Sequence, residues 1–460
     1  MNKKCELSNS WYNASLMVLF GMALGALTLN FWGLDYILPT AGAVLSLLGF
    51  RRLRGENLWF TGCYILAILR LVYIFGFLIA NTTILLSLLQ GSPILSALML
   101  INPALTFAMY CCFWMALRTM QSEAGEEPHA AAAFAVVVWY AVLCLIAMHE
   151  LQGLIFVAII LAGLFLVFYR LYRLLLEMSE DGYEISPAAA KLSDRTLLGV
   201  LAAVLLIGSA CGFLFGGRYP MDYHEVKSVG KTNEIRAHLA ELGFPMHVLD
   251  DLSDSDLASC KDAVQVISAE INEPVTYKNT EFAENELRLT SVGVQLAEET
   301  GRWIIFHHFL WTSDPGFCGT ECLQVMPAWQ NEGWSRDGDP TGRVLYDRDG
   351  KTYGASFYTL GTQTVHGFFI TSADNIFAGF SMPYRSENQR GYIAYPVLNL
   401  QSSDFLNSWI NYTHQNTWLQ YPVRTAVNIR TENSWNSDST FQTVQSALQF
   451  KDSEKLPRDF

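Results

Sequence analysis

The chain has 460 residues, 51% of them hydrophobic and only 16% charged, with a formal net charge of −13. That length exceeds one ordinary domain, the apolar content excludes disorder, and the acidic balance argues against a nucleic-acid partner. Lys+Arg and Asp+Glu number 11 and 12 in residues 1–216 but 19 and 31 in residues 217–460, so the net charge belongs almost wholly to the second half.

Long apolar runs lie at about 11–31, 36–50, 57–80, 94–117, 130–148, 153–172 and 196–216. Most reach the roughly 20 residues that a helix needs to cross a bilayer core. They predict a multi-pass α-helical membrane bundle of about seven spans over residues 1–216. The run at 36–50 is short and holds Pro39. The stretch after Ala80, broken by Asn81, Gly91 and Pro93, has the composition of a re-entrant piece.

Charge sets the orientation. Lys3, Lys4, Arg51, Arg52, Arg54, Arg118, Arg170, Arg173, Lys191 and Arg195 all fall on one side of a seven-span arrangement, and the opposite connections hold neither Lys nor Arg. Positive residues stay inside. The expectation is a plasma-membrane protein with a cytoplasmic N-terminus and an extracytoplasmic C-terminal half. Trp11, Trp32, Trp59 and Trp114 near the run ends suit an interfacial aromatic belt.

Two intramembrane features stand out. Gly21 and Gly25, and Gly208, Gly212 and Gly216, recur every four residues, a spacing that lets helices approach closely. Arg70 sits mid-span with no acidic residue deep in any run; Asn102, Tyr73 and Tyr110 are its candidate partners. A charge at that depth marks a candidate ligand site for an anionic solute.

Residues 217–230 read as a juxtamembrane linker. Residues 231–262 read as a small helical unit, with Ile235, Leu239 and Leu242 at helical spacing and Ser253 with Asp256 as a capping pair. From residue 263 to 460 the period shifts to two. Strand candidates through Tyr392–Leu398 and Val423–Arg430, with Asp349-Gly350 as the best turn, predict an antiparallel β-sandwich or jelly-roll-like sheet. Helices are expected near Ser402–Asn411 and Ser439–Phe450.

Candidate chemistry in this half is sparse. His307, His308, Cys318 and Cys322 are zinc-ligand types, although strand alternation puts the two histidines on opposite faces. The competing expectation is a disulfide among Cys260, Cys318 and Cys322. Glu281, Glu284 and Glu286 are paired carboxylates without a catalytic motif, and the acidic turns at Asp337, Asp339, Asp347 and Asp349 lack calcium-loop spacing. No cofactor is implied. Trp329 and Trp334, in a Gly/Asp-rich segment, are the candidate aromatic contacts for a protein or glycan partner. Together these features predict an extracytoplasmic binding or scaffolding domain, as a sensor or a subunit of a membrane complex. The alternatives are transport of an anionic solute through Arg70, or a tethered external enzyme.

Overall fold

The computed structural model describes residues 10–27, 33–125, 127–148, 154–183, 185, 191–226, 233–273, 286–297, 301–327, 334–365, 373–399, 405–432 and 440–451. The chain divides into two units, Met1–Asn81 with Leu88–Gly212, and Thr82–Ser87 with Phe213–Phe460.

The first unit is helical. Its elements are α1 (Ser10–Ala26), α2 (Leu34–Leu53), α3 (Leu58–Ala80), α5 (Pro93–Glu123), α6 (Ala131–Met148), α7 (Leu154–Glu180) and most of α8 (Asp194–Phe215); the one-turn α4 (Leu85–Leu88) lies between α3 and α5. Each of the seven apolar runs contains a helix over described residues. Among the described residues four stretches, Leu58–Ala80, Pro93–Glu123, Ala158–Glu180 and Asp194–Phe215, are long and apolar enough to cross a membrane.

Close packing of α1 on α2 explains the glycine spacing. A Cβ on Gly42 would stand 2.6 Å from both the Gly21 carbonyl oxygen and the Gly25 nitrogen, and one on Gly21 would meet Ser46 at 2.4 Å. That seam is internal to the bundle. Trp11 is also internal: it is fully buried, and its indole N–H donates to the Leu175 carbonyl. It is a core residue rather than part of an aromatic belt, because α1 packs against α7. Trp59 is exposed, and Trp32 lies outside the described residues.

At one end of the bundle Arg51 and Arg52, closing α2, both pair with Asp194 at the start of α8, at 3.1 and 2.8 Å. Ser10, opening α1, donates to the carbonyl of Ile185 beyond α7. These contacts tie the end of α2 to the start of α8 and the start of α1 to the segment after α7.

The second unit is an antiparallel β domain of two sheets. The larger runs β1 (His224–Glu225), β8 (Lys351–Ala355), β7 (Thr341–Arg348), β11 (Glu387–Asn399), β4 (Arg302–Trp311), β3 (Leu287–Leu296) and β2 (Ala263–Glu273), with β6 (Trp334–Arg336) also on β11. The smaller runs β13 (Phe441–Lys451), β12 (Phe405–Gln415), β5 (Glu321–Pro327), β10 (Ala373–Phe380) and β9 (Thr359–Val365). Their facing sides share one core, from Trp303, Ile305 and Phe309 of β4 to Leu323 of β5 and Ile410 and Tyr412 of β12. Asp349 and Gly350, both at positive φ, make the two-residue turn that joins β7 to β8.

The outer face of the larger sheet is covered by α9 (Asn233–Glu241), α10 (Met246–Leu249) and α11 (Asp254–Ser259), whose Leu239, Val248, Leu249 and Leu257 pack on Val292, Val294, Ile304 and Phe306. Ser253 caps α11 through the Asp256 N–H at 3.1 Å. On the smaller sheet, α12 (Ala426–Thr431) buries Ala426 and Ile429 over Cys322 and Phe377.

Three expected elements change type. Residues 402–411 and 439–450 contribute to strands β12 and β13, not to helices. Leu406 and Ile410, like Val444 and Leu448, are four apart, a spacing that one face of a strand and one face of a helix share. The expected strand over 423–430 is instead largely α12, started by a Thr425 capping box in which the Thr425 hydroxyl accepts from the Asn428 N–H.

Candidate functional site

Arg70 lies inside the first unit and is only 1% exposed. Its Nε donates to Asn102 Oδ1 at 3.2 Å. The guanidinium rests on Gly25, where a Cβ would stand 2.7 Å from Nη2. Of the other expected partners, Tyr73 donates its hydroxyl to the Leu98 carbonyl and Tyr110 donates to that of Met22. No carboxylate pairs with Arg70 among the described residues, and its Nη1 has no hydrogen-bond partner. The buried Nη1 thus keeps donor capacity that no described group uses.

In the β domain, β4 sends its two histidines in opposite directions, as strand alternation requires. His307 points between the sheets and is fully buried. Its Nδ1 meets Ser291 Oγ and its Nε2 meets Ser408 Oγ, both at 2.7 Å, so each ring nitrogen is occupied. Burial pushes its pKa down to about 3.

His308 points outward beneath the small helices. Its Nε2 meets Asp251 Oδ2 at 2.8 Å, and Arg390 Nε donates to Asp251 Oδ1 at 2.7 Å. Arg343 donates twice to the Asp251 main-chain carbonyl, at 3.0 and 2.8 Å. Burial alone raises the Asp251 pKa, but His308 and then Arg390 outweigh it and hold the carboxyl below the usual range. Asp251 is therefore the hub that fastens the helical segment to the sheet. Nearby Asp256 accepts from Thr341 and Tyr392 in the same layer. Neither imidazole opens onto solvent, so this pair offers no catalytic group to an external substrate.

A third buried histidine, on β12, carries no local sequence signal. His414 and Glu321 are both fully buried, with Nδ1 at 3.0 Å from each carboxylate oxygen, and Trp311 and Phe317 pack edge-on around the ring. The two residues are 93 positions apart, and only the β5–β12 pairing brings them together.

The expected zinc ligands do not assemble. His307 is committed to two serines, and among the described residues no three His, Cys, Asp or Glu side chains form a metal-holding group. The expected disulfide is likewise absent: Cys260, Cys318 and Cys322 are free thiols. The reason is placement. Cys260 packs in the core under the small helices, Cys322 lies under α12, and the Cys318 thiol bonds the Gly316 carbonyl in a loop. Burial pushes the pKa values of Cys260 and Cys322 up to about 12, so neither is a reactive thiolate.

Trp334 is a core residue, 2% exposed and edge-on to Trp303 at 6.5 Å, because β6 pairs with β11 and turns it inward. Trp329 lies outside the described residues, as do Glu281 and Glu284. The acidic turn residues serve ion pairs and hydrogen bonds: Asp337 with Arg302 at 2.9 Å, Asp339 with Arg336, and Asp347 with Arg390 at 3.1 Å. An open concavity of about 600 Å³ beside β1 is lined by Met221, Asp222, His224, Arg343, Phe357 and Tyr358.

No protein-family model matches the chain, and no curated protein matches it. Solved structures overlap it weakly. The collagen-binding subdomain of the Enterococcus faecalis surface protein ACE is similar over 34% of this chain and 91% of its own, at 10% identity and TM-score 0.21. A collagen-binding domain from a Staphylococcus aureus adhesin covers 34% and 93%, at 10% identity and TM-score 0.21. Clostridium perfringens delta-toxin covers 41% and 88%, at 5% identity and TM-score 0.21. Scores this low carry no argument about function.

Proposed function

We propose that the chain is a multi-pass plasma-membrane protein of seven spans. In this reading its N-terminus is cytoplasmic, and its β-rich unit is an extracytoplasmic module that binds or scaffolds a protein or glycan partner. The observation that carries the reading is charge sidedness. Arg51 and Arg52 meet Asp194 at one end of α8, whereas the β-rich unit begins at the other end, from Phe213. The connections 81–92 and 149–152 hold no Lys or Arg. The inward commitment of His307, His308 and His414 favours binding over catalysis. The concavity beside β1 offers Tyr358 and His224 as exposed contacts.

Protease applied to intact cells is expected to cut within residues 217–460 and to spare the connection at 181–193 until the membrane is opened. Protection of the β-rich unit in intact cells overturns the orientation. Crosslinking in native membranes followed by pull-down tests the binding role: Tyr358→Ala should lose the captured partner while keeping the unfolding midpoint of the parent chain.

A second reading, binding of an anionic solute by Arg70, is favoured by the orphaned Nη1. Inorganic phosphate or succinate at a hundredfold excess over its dissociation constant should stabilise the bundle by about 2.7 kcal/mol. Arg70→Gln should abolish that gain. Equal thermal shifts in parent and variant, or none in either, would remove the reading.

A further inference from the structure

We propose that the loop Thr417–Tyr421 is a lipid-contacting collar, seated in the headgroup–acyl boundary at the C-terminal end of α8; this rests on α8 being a membrane span. The helix ends at Phe215 and presents Val204, Leu206, Ile207, Leu214 and Phe215 outward. In its last turn Phe213 meets Trp418 edge-on, with centroids 6.1 Å apart and rings at 89°. A helical turn rises about 5.4 Å, so Trp418 stands within roughly one turn of the depth at which the apolar helix stops.

The loop is held at that depth. Val423 packs with Ile84 and Tyr219, and its carbonyl accepts the Ser87 hydroxyl at 2.9 Å. Residues 416–423, Asn-Thr-Trp-Leu-Gln-Tyr-Pro-Val, carry no charge. Yet Trp418, Leu419 and Tyr421 are 52%, 62% and 42% exposed, and Leu85, next to the Ile84 that packs on Val423, is exposed too. Apolar area left in water forgoes the gain of burial. Tryptophan and tyrosine settle at the membrane interface, where an apolar ring and a polar edge are both satisfied. The occupant is lipid rather than a second protein because the exposed Trp418 packs on Phe213, beside the outward-facing Leu214 and Phe215 that end an apolar helix.

Tryptophan fluorescence of the full chain in phosphatidylcholine nanodiscs tests the proposal. The difference between parent and Trp418→Phe isolates the loop indole. In the W418F background, Val204→Trp reports the mid-span depth and Asp349→Trp reports a hairpin tip. Lipid brominated in the upper acyl chain is expected to quench the Trp418 signal about two-fold or more, and acrylamide to leave it largely untouched. If Trp418 instead behaves like Asp349→Trp while Val204→Trp is quenched by lipid, the collar fails and the span stands. If Val204→Trp is itself open to acrylamide, the span reading fails. If Trp418 is shielded from both quenchers, a protein surface covers it and the lipid assignment is overturned.

Discussion

Asp251→Ala is expected to lower the unfolding free energy of the β-rich unit by about 3–5 kcal/mol, the usual cost of removing one partner from a buried charge network. The change strands the buried His308 ring and frees the Arg390 guanidinium from its shorter ion pair, at 2.7 Å. The loss should be local first. Segment 233–259 is fastened by Asp251 and Asp256 and by the apolar contacts of Leu239, Val248 and Leu257, so limited proteolysis should cut there before the sheets open. Asp251→Asn, which keeps the shape but not the charge, should fall between parent and alanine variant. The pH dependence has a definite sign. The folded pKa of Asp251 is depressed, so its stabilisation is complete above the unfolded value of about 3.9 and is lost as pH falls through the lower folded value. An unfolding free energy for D251A within about 1 kcal/mol of the parent, from urea titration, would show that the apolar contacts alone hold the segment.

The second large effect is acid sensitivity set by His307. Its folded pKa of about 3 lies below the unfolded value of about 6.5, so between these limits the unfolded chain binds the extra proton. Stability is therefore complete above about pH 6.5 and declines as pH falls. Between pH 7 and pH 5 the linkage amounts to about 2 kcal/mol from this one group. His247, whose pKa burial and then His308 push down, adds a contribution of the same sign. Urea midpoints followed by tryptophan fluorescence at several pH values check the slope. His307→Gln should cost stability at neutral pH, because it loosens the Ser291 and Ser408 bonds, but should flatten the profile between pH 7 and 5. A parent profile that is already flat over that range would refute the account.

Much of the architecture was legible from periodicity because helices and strands leave local traces. The apolar runs marked each long helix, Ser253 and Asp256 marked the start of α11, and Asp349-Gly350 marked the β7–β8 turn. The opposite outlook of His307 and His308 followed from alternation alone. What was not legible is pairing across long separations. Ser408 lies 101 residues from His307, Asp251 lies 57 from His308, and Glu321 lies 93 from His414. No local pattern connects such residues, so strands that look like ordinary apolar runs hid their buried polar contents. Asn102, by contrast, was a nameable partner for Arg70, since few polar side chains are available among apolar spans. Trp334 misled because its Gly/Asp-rich surroundings suggested exposure, whereas β6 anchors it on β11.

The order of the smaller sheet has a consequence for how the chain is made. Its central strand β5 ends at Pro327, yet its two neighbours are β10, complete only at Phe380, and β12, complete only at Gln415. During synthesis β5 must wait with both edges unpaired until β10 is complete, 53 residues after Pro327, and with one edge open until β12 is complete, 88 residues after it, a long-range closure that is slow and prone to mispairing. A ribosome stalled before Phe405 would leave Cys322, Glu321 and Leu323 on a strand with one open edge. Such a nascent chain should need a chaperone's cover that the finished protein does not.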